Sequence, residues 1–205
     1  MIIYLCRHAK EAKYPYKPQE AITEMGKRQA LALGQYLSDK DIKALYTSDM
    51  SRALRTAEIV GKVLNLKPKI IGQLGELSTA SPQGWTDYVG RLHPDFDYLI
   101  GGRESLNMLI ERARKAWKIV TSESRGKNVA IIGHGIFTKA LLYYFGYEDH
   151  LLRNDPIPPT GVTILEHTKG KLKLLTFAQA DHLRGAWLGS KFLSKLLLSK
   201  LLRRS

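Results

Sequence analysis

Cysteine is nearly absent. Cys6 is the single one in 205 residues, so no intrachain disulfide can form and a disulfide-stapled secreted scaffold is excluded. Acidic residues are scarce beside basic ones, 19 against 32. The resulting charge of +13 favours anionic partners: phosphorylated metabolites, phosphoproteins, nucleic acid or an acidic membrane surface. Long apolar runs are missing as well. None approaches the roughly 18 to 20 residues of a spanning helix, so the chain is not expected to cross a membrane, while lying on one stays open. The chain opens on a strand pattern rather than a charged start and apolar signal segment, which makes the cytoplasm the expected compartment. Several nucleophile classes fall away too. There is no Gly-x-x-x-x-Gly-Lys, no Gly-x-Ser-x-Gly elbow, and no arginine at the distance from Cys6 that a cysteine phosphatase loop needs. His93, His150 and His167 lack metal-ligand spacing, and neither metal nor cofactor is expected.

What is present is an alternation of short apolar runs and amphipathic helices. Ile2, Ile3, Leu5 and Cys6 form a nearly continuous apolar segment, as in a strand of a parallel sheet covered on both faces. It stops at Arg7 and His8. Thr23 offers an N-cap to a helix marked by Ala30, Leu33 and Leu37, running to about Asp39. Ile42 to Thr47 reads as a second strand, and Ala53, Ala57, Val60 and Leu64 mark one face of the helix that follows. The periodicity weakens over 67–102, where Gly, Pro, Trp and Tyr accumulate; this reads as a lid-like insertion of loops and short helices. The strongest helix spans Glu104 to Val120. Val129 to Ile132 is another buried strand, ending in Gly133, His134 and Gly135, with a helix through Phe137, Ala140, Leu141 and Phe145 behind it. Val162 and Ile164, a turn at Lys169 and Gly170, then Leu172 and Leu174 predict a hairpin at one sheet edge. The fold class is therefore α/β: a three-layer α/β/α sandwich whose mostly parallel sheet has an antiparallel edge strand.

Ligands of such sheets sit beyond the carboxyl ends of the strands. Arg7 and His8 follow the first strand. Arg52 opens the second helix, just after the second strand, and helix starts favour anions. His134 follows a third strand. If these strands end on one edge, the four residues converge on one anion, and phosphate is the natural candidate. Taken singly, each is as well explained by an ordinary solvated loop.

The ordered set resembles the histidine phosphatase superfamily, the phosphoglycerate mutase-like enzymes. LCRHA stands where that family has Leu-x-Arg-His-Gly. TEMGKRQA resembles its Leu-Thr-x-x-Gly-x-x-Gln-Ala helix start, and SDMSRALRTA its Ser-x-x-x-Arg-Ala-x-x-Thr-Ala. LGEL, GGRESL and IIGHG resemble its Leu-x-Glu, Gly-Glu-Ser and strand-His-Gly segments. The resemblance implies a phosphatase that hydrolyses a phosphate monoester through a phosphohistidine on His8. It makes Arg7 and Arg52 forked ligands of the phosphate, and His134 a further donor to transition-state charge. Glu76 matches the position that protonates the leaving oxygen. ADHL, with His182, resembles a late His-Leu segment that packs near the site.

Three departures bear on the substrate. Ala9 replaces the usual glycine, Tyr14 stands where many mutase-like members carry asparagine, and the Glu-Ser-x-Trp-Asn continuation of true phosphoglycerate mutases is missing. Hydrolysis is therefore favoured over mutase-type transfer. Beyond Arg7, Arg52 and His134, the expected substrate contacts are Lys13, Tyr14 and Trp85, with Lys17 and Arg91 also near an acidic or aromatic ester. A small phosphorylated metabolite or a phosphoprotein, including phosphohistidine, fits as partner; nucleic acid fits poorly. A non-catalytic phospho-ligand binder is the rival reading, disfavoured because every catalytic position is filled.

The domain expectation is a catalytic unit over 1–186 with 67–102 inserted in it, followed by a basic amphipathic helix over 187–205. That tail sets Phe192, Leu193, Leu196, Leu197, Leu201 and Leu202 against five cations and no acid. Docking of its leucine face on the body or another subunit, or contact with an anionic membrane, are the alternatives.

Overall fold

The computed structural model describes residues 1–13, 20–79 and 95–184. Its six strands are β1 (Ile2–Arg7), β2 (Ala44–Thr47), β3 (Lys69–Ile70), β4 (Val129–Gly133), β5 (Val162–Thr168) and β6 (Lys171–Gln179), and they form one sheet in the order β3-β2-β4-β1-β5-β6. The first four are mutually parallel; β5 and β6 run antiparallel at one edge as a hairpin. Among the described residues, five helices accompany them: α1 (Glu24–Leu37), α2 (Ser51–Leu64), α3 (Leu106–Ser124), α4 (Gly135–Tyr144) and the single turn α5 (Asp149–Leu152).

The three layers follow from the two-residue period of the strands. On β1, Ile3 and Leu5 face a core shared with Leu109, Ala113 and Trp117 of α3 and Phe137 and Leu141 of α4. Tyr4 and Cys6 face the opposite core, with Leu33 and Leu37 of α1 and Ala53, Ala57 and Val60 of α2. Strand β4 divides in the same way, Val129 and Ile131 to the first core, Ala130 and Ile132 to the second. A strand that must be apolar on both faces reads as a continuous hydrophobic run, which is why β1 and β4 stand out in the sequence. Burial pushes the Cys6 thiol strongly up, so this cysteine is a core residue and not a nucleophile.

Two details correct the sequence expectation. The segment after Lys67 is not only loop and short helix, because Lys69 and Ile70 pair with Tyr46 and Thr47 as a parallel edge strand. Two exposed residues next to Pro68 carry no readable period. The strong central helix also starts later and runs further than Glu104 to Val120, since Ser105 caps it through a bond from Met108 N, and it ends where Arg125 turns left-handed. The tail over 187–205 and the middle of the inserted stretch, 80–94, lie outside the described residues. Among the described residues no helix is long and apolar enough to cross a membrane.

Candidate active site

Sheet register brings the site together. Arg7 pairs with Gly133 and Thr47 with Ile132, so the next residues along, His8, Ser48 and His134, leave the same edge side by side. His8 is 3% exposed and opens onto a cleft lined also by Arg7, Glu11, Arg52, Glu76 and Arg103. The ring centroids of His8 and His134 are 5.3 Å apart. Arg52, in the first turn of α2, donates from Nε to His8 Nε2 at 3.1 Å.

The tautomer of His8 follows from its other nitrogen. Nδ1 lies 2.8 Å from the carbonyl oxygen of Ala9, which can only accept, so Nδ1 carries the proton and Nε2 presents its lone pair to Arg52. Burial, followed by the charges of Arg52 and Arg7, pushes the imidazole down to about 3 from 6.5, outweighing the opposite pull of the Ala9 carbonyl. His8 is thus a neutral base with a defined lone pair at neutral pH. His134 is fully buried, and burial, the neighbouring His8 and the arginines hold it neutral as well. Its Nε2 is 2.7 Å from Ser48 Oγ, and its Nδ1 is buried without a protein partner.

Arg7 is anchored by a bond from Nη1 to the Ile157 carbonyl, while its Nε is buried without a partner. Arg52 lies within 3.4 Å of the Glu11 carboxylate. Glu76 reaches the start of α4: Oε1 accepts from Phe137 N and Leu77 N at 2.9 and 3.1 Å, and Oε2 accepts from Ile136 N at 3.2 Å. Both lone pairs of Oε1 are therefore used and one on Oε2 is not. A carboxylate at this helix start also offsets the unpaired amides and dipole of α4.

A model of the histidine phosphatase superfamily (branch 1) matches residues 3–180. The chain belongs to this superfamily. PhoE, an uncharacterized phosphatase of Bacillus subtilis strain 168, is 25% identical over 189 residues, covering 89% of this chain and 97% of the relative. GpmB of Photorhabdus laumondii, described as a probable phosphoglycerate mutase, is 27% identical over 155 residues, covering 65% of this chain and 69% of the relative. Among solved structures, Bacillus stearothermophilus YhfR matches with a TM-score of 0.72 at 25% identity over 88% of this chain and 98% of that one.

The histidine phosphatase motifs of this chain have separate physical tasks. Thr23, Gly26 and Gln29 of TEMGKRQA all grip Lys10, two residues beyond His8. Thr23 N donates to the Lys10 carbonyl at 2.9 Å, Lys10 N donates to Gln29 Oε1 at 2.9 Å, and a Cβ on Gly26 would meet that carbonyl oxygen at 2.4 Å. Thr56 of SDMSRALRTA accepts from Ala9 N at 3.0 Å and donates to the Arg52 carbonyl at 2.7 Å, fixing α2 against the residue after His8.

Of the expected site residues, His8 meets both Arg52 and His134; Arg7, His8, Arg52 and Glu76 line one cleft, and the fully buried His134 stands behind His8 and is not among the described residues of the cleft wall. Lys13 is exposed and is not among the described residues of the cleft wall. Tyr14, Lys17, Trp85 and Arg91 lie outside the described residues. His182 sits one shell away: its Nε2 is 3.1 Å from Thr160 Oγ1, and Thr160 N donates to the His8 carbonyl at 3.2 Å. Ser48, four residues before Arg52 in SDMSRALRTA, also reaches the site, through its contact with His134; a lone serine before a helix carries no signal of such a contact.

Proposed function

We propose that this histidine phosphatase hydrolyses phosphate monoesters through a phosphohistidine on Nε2 of His8. The observation that carries the reading is the ring itself, whose proton is held on Nδ1 by the Ala9 carbonyl so that Nε2 faces the arginine side of the cleft as a lone pair. The incoming phosphate takes Arg52 away from Nε2, with Arg7 on its other side, and the lone pair attacks phosphorus as the ester P–O bond breaks. Glu76 carries the proton for the leaving oxygen on Oε2. The same oxygen then takes a proton from water as the water oxygen attacks phosphorus and the P–N bond breaks, releasing inorganic phosphate and neutral His8. Ser48 sets His134 to donate from Nδ1 to the phosphoryl oxygens.

Mutase-type transfer uses the same nucleophile, and the likeness to GpmB keeps it as the second reading. Hydrolysis is favoured by the phosphatase relative that the chain matches almost end to end and by Tyr14 in place of the mutase asparagine. The test is product analysis with a panel of phosphate monoesters, phosphoglycerates included. Release of inorganic phosphate that is lost in His8→Ala supports hydrolysis; an isomeric phosphate ester as the main product overturns it in favour of transfer.

A further inference from the structure

Arg112 lines the cleft, yet every hydrogen on its guanidinium is already committed. Nε donates to Glu104 Oε1 at 2.8 Å and Nη2 to Glu104 Oε2 at 2.9 Å, a side-on bidentate pair. Nη2 also donates to the Glu76 carbonyl at 3.0 Å, and Nη1 donates to the carbonyls of Gln73 and Gly75 at 2.9 and 2.7 Å. Those are five bonds for the five hydrogens a guanidinium has. Glu104 extends the grip by accepting from Ser78 N at 2.9 Å. One ion pair thus holds the main chain of the segment 73–78 at four points.

We propose that Arg112 and Glu104 are positioning residues for Glu76, a reading that rests on Glu76 as the proton carrier of the proposed reaction. Glu76 is fixed at two places. Its carbonyl is held by Arg112, and its carboxylate is held by the amides of Leu77, Ile136 and Phe137. The second set alone leaves the main chain of a half-buried loop to carry the carboxylate. With the carbonyl pinned, Oε2 keeps one place in the cleft wall, and proton transfer is sensitive to such placement. A lysine at 112 keeps the charge but cannot supply five donors in a plane.

A plain structural role for the pair predicts equal losses on all substrates, whereas a role through Glu76 does not. Arylphosphates with acidic leaving groups need no proton in the transition state; alkyl phosphates do. The experiment is a leaving-group series measured on wild type, Glu76→Gln, Arg112→Lys and Glu104→Gln, with folding of each checked by near-ultraviolet circular dichroism. In both Arg112→Lys and Glu104→Gln, kcat/KM, which reads the steps through leaving-group departure and not the hydrolysis of the phosphoenzyme shared by all esters, is expected to fall about 10-fold further for alkyl esters than for nitrophenyl phosphate, as part of the acid's contribution is lost. Glu76→Gln shows the same tilt, larger. A uniform loss in the two pair variants, with the tilt kept in Glu76→Gln, overturns the positioning role and leaves the proton role standing. A uniform response in Glu76→Gln overturns both.

Discussion

The hydroxyl of Ser48 lies 2.7 Å from Nε2 of His134, and the other nitrogen of that ring has no protein partner. Met50 N donates to the Ser48 oxygen over a long 3.4 Å, and the proposed reaction has the hydroxyl donating to Nε2 and the ring proton on Nδ1. A buried ring N–H without a protein partner is useful where negative charge develops beside it. Ser48→Ala is expected to lower kcat by about 10-fold through loss of this orientation. Steady-state kinetics and the nitrogen NMR shifts of His134 check it together: a mixed tautomer with reduced kcat agrees, and unchanged kcat does not.

The lowered pKa of His8 links function to stability. At pH values above 6.5 neither the folded nor the unfolded ring binds a proton, so the folded state keeps its full advantage. As pH falls from 6.5 toward about 3, the unfolded chain takes up a proton that buried His8 refuses, and stability declines. His134 is shifted in the same direction and adds to the decline. The urea midpoint is therefore expected to fall with pH through this window, less steeply in His8→Asn than in wild type. Parallel profiles contradict the assignment.

Gly26 stands in the first turn of α1, where alanine ordinarily stabilises a helix by about 0.5–1 kcal/mol. Here the new Cβ would lie 2.4 Å from the Lys10 carbonyl oxygen, a backbone atom held by Thr23 N. Overpacking of this kind costs about 1–3 kcal/mol, so the sign reverses. Thermal unfolding of Gly26→Ala is expected to show net destabilisation, with reduced turnover because the displaced segment carries His8. A higher melting temperature contradicts the clamp.

The strands that position His8 and His134 were legible because they are buried on both faces; β1 and β4 could hardly read otherwise. The convergence of Arg7, His8, Arg52 and His134 followed from one rule about parallel sheets, that their ends share an edge. The β3 edge strand was not legible, since two exposed residues have no period. Hydrogen-bond direction was also hidden. Nothing in the sequence says that Ser48 turns to His134, that the Glu76 carboxylate meets the first amides of α4, or that Arg112 spends its donors on main-chain carbonyls. Such contacts join residues 36 to 86 positions apart, and only the folded sheet brings them together.

The covalent step on His8 is tested most directly by trapping. Enzyme mixed with a radiolabelled monoester it turns over, and denatured in alkali within the first turnover, is examined by phosphorus NMR and by peptide mapping. The mechanism predicts a base-stable, acid-labile phosphate on Nε2 of His8 that is absent from His8→Ala. Phosphate on Nδ1 or on another residue, or a His8→Ala protein that still turns substrate over, contradicts it.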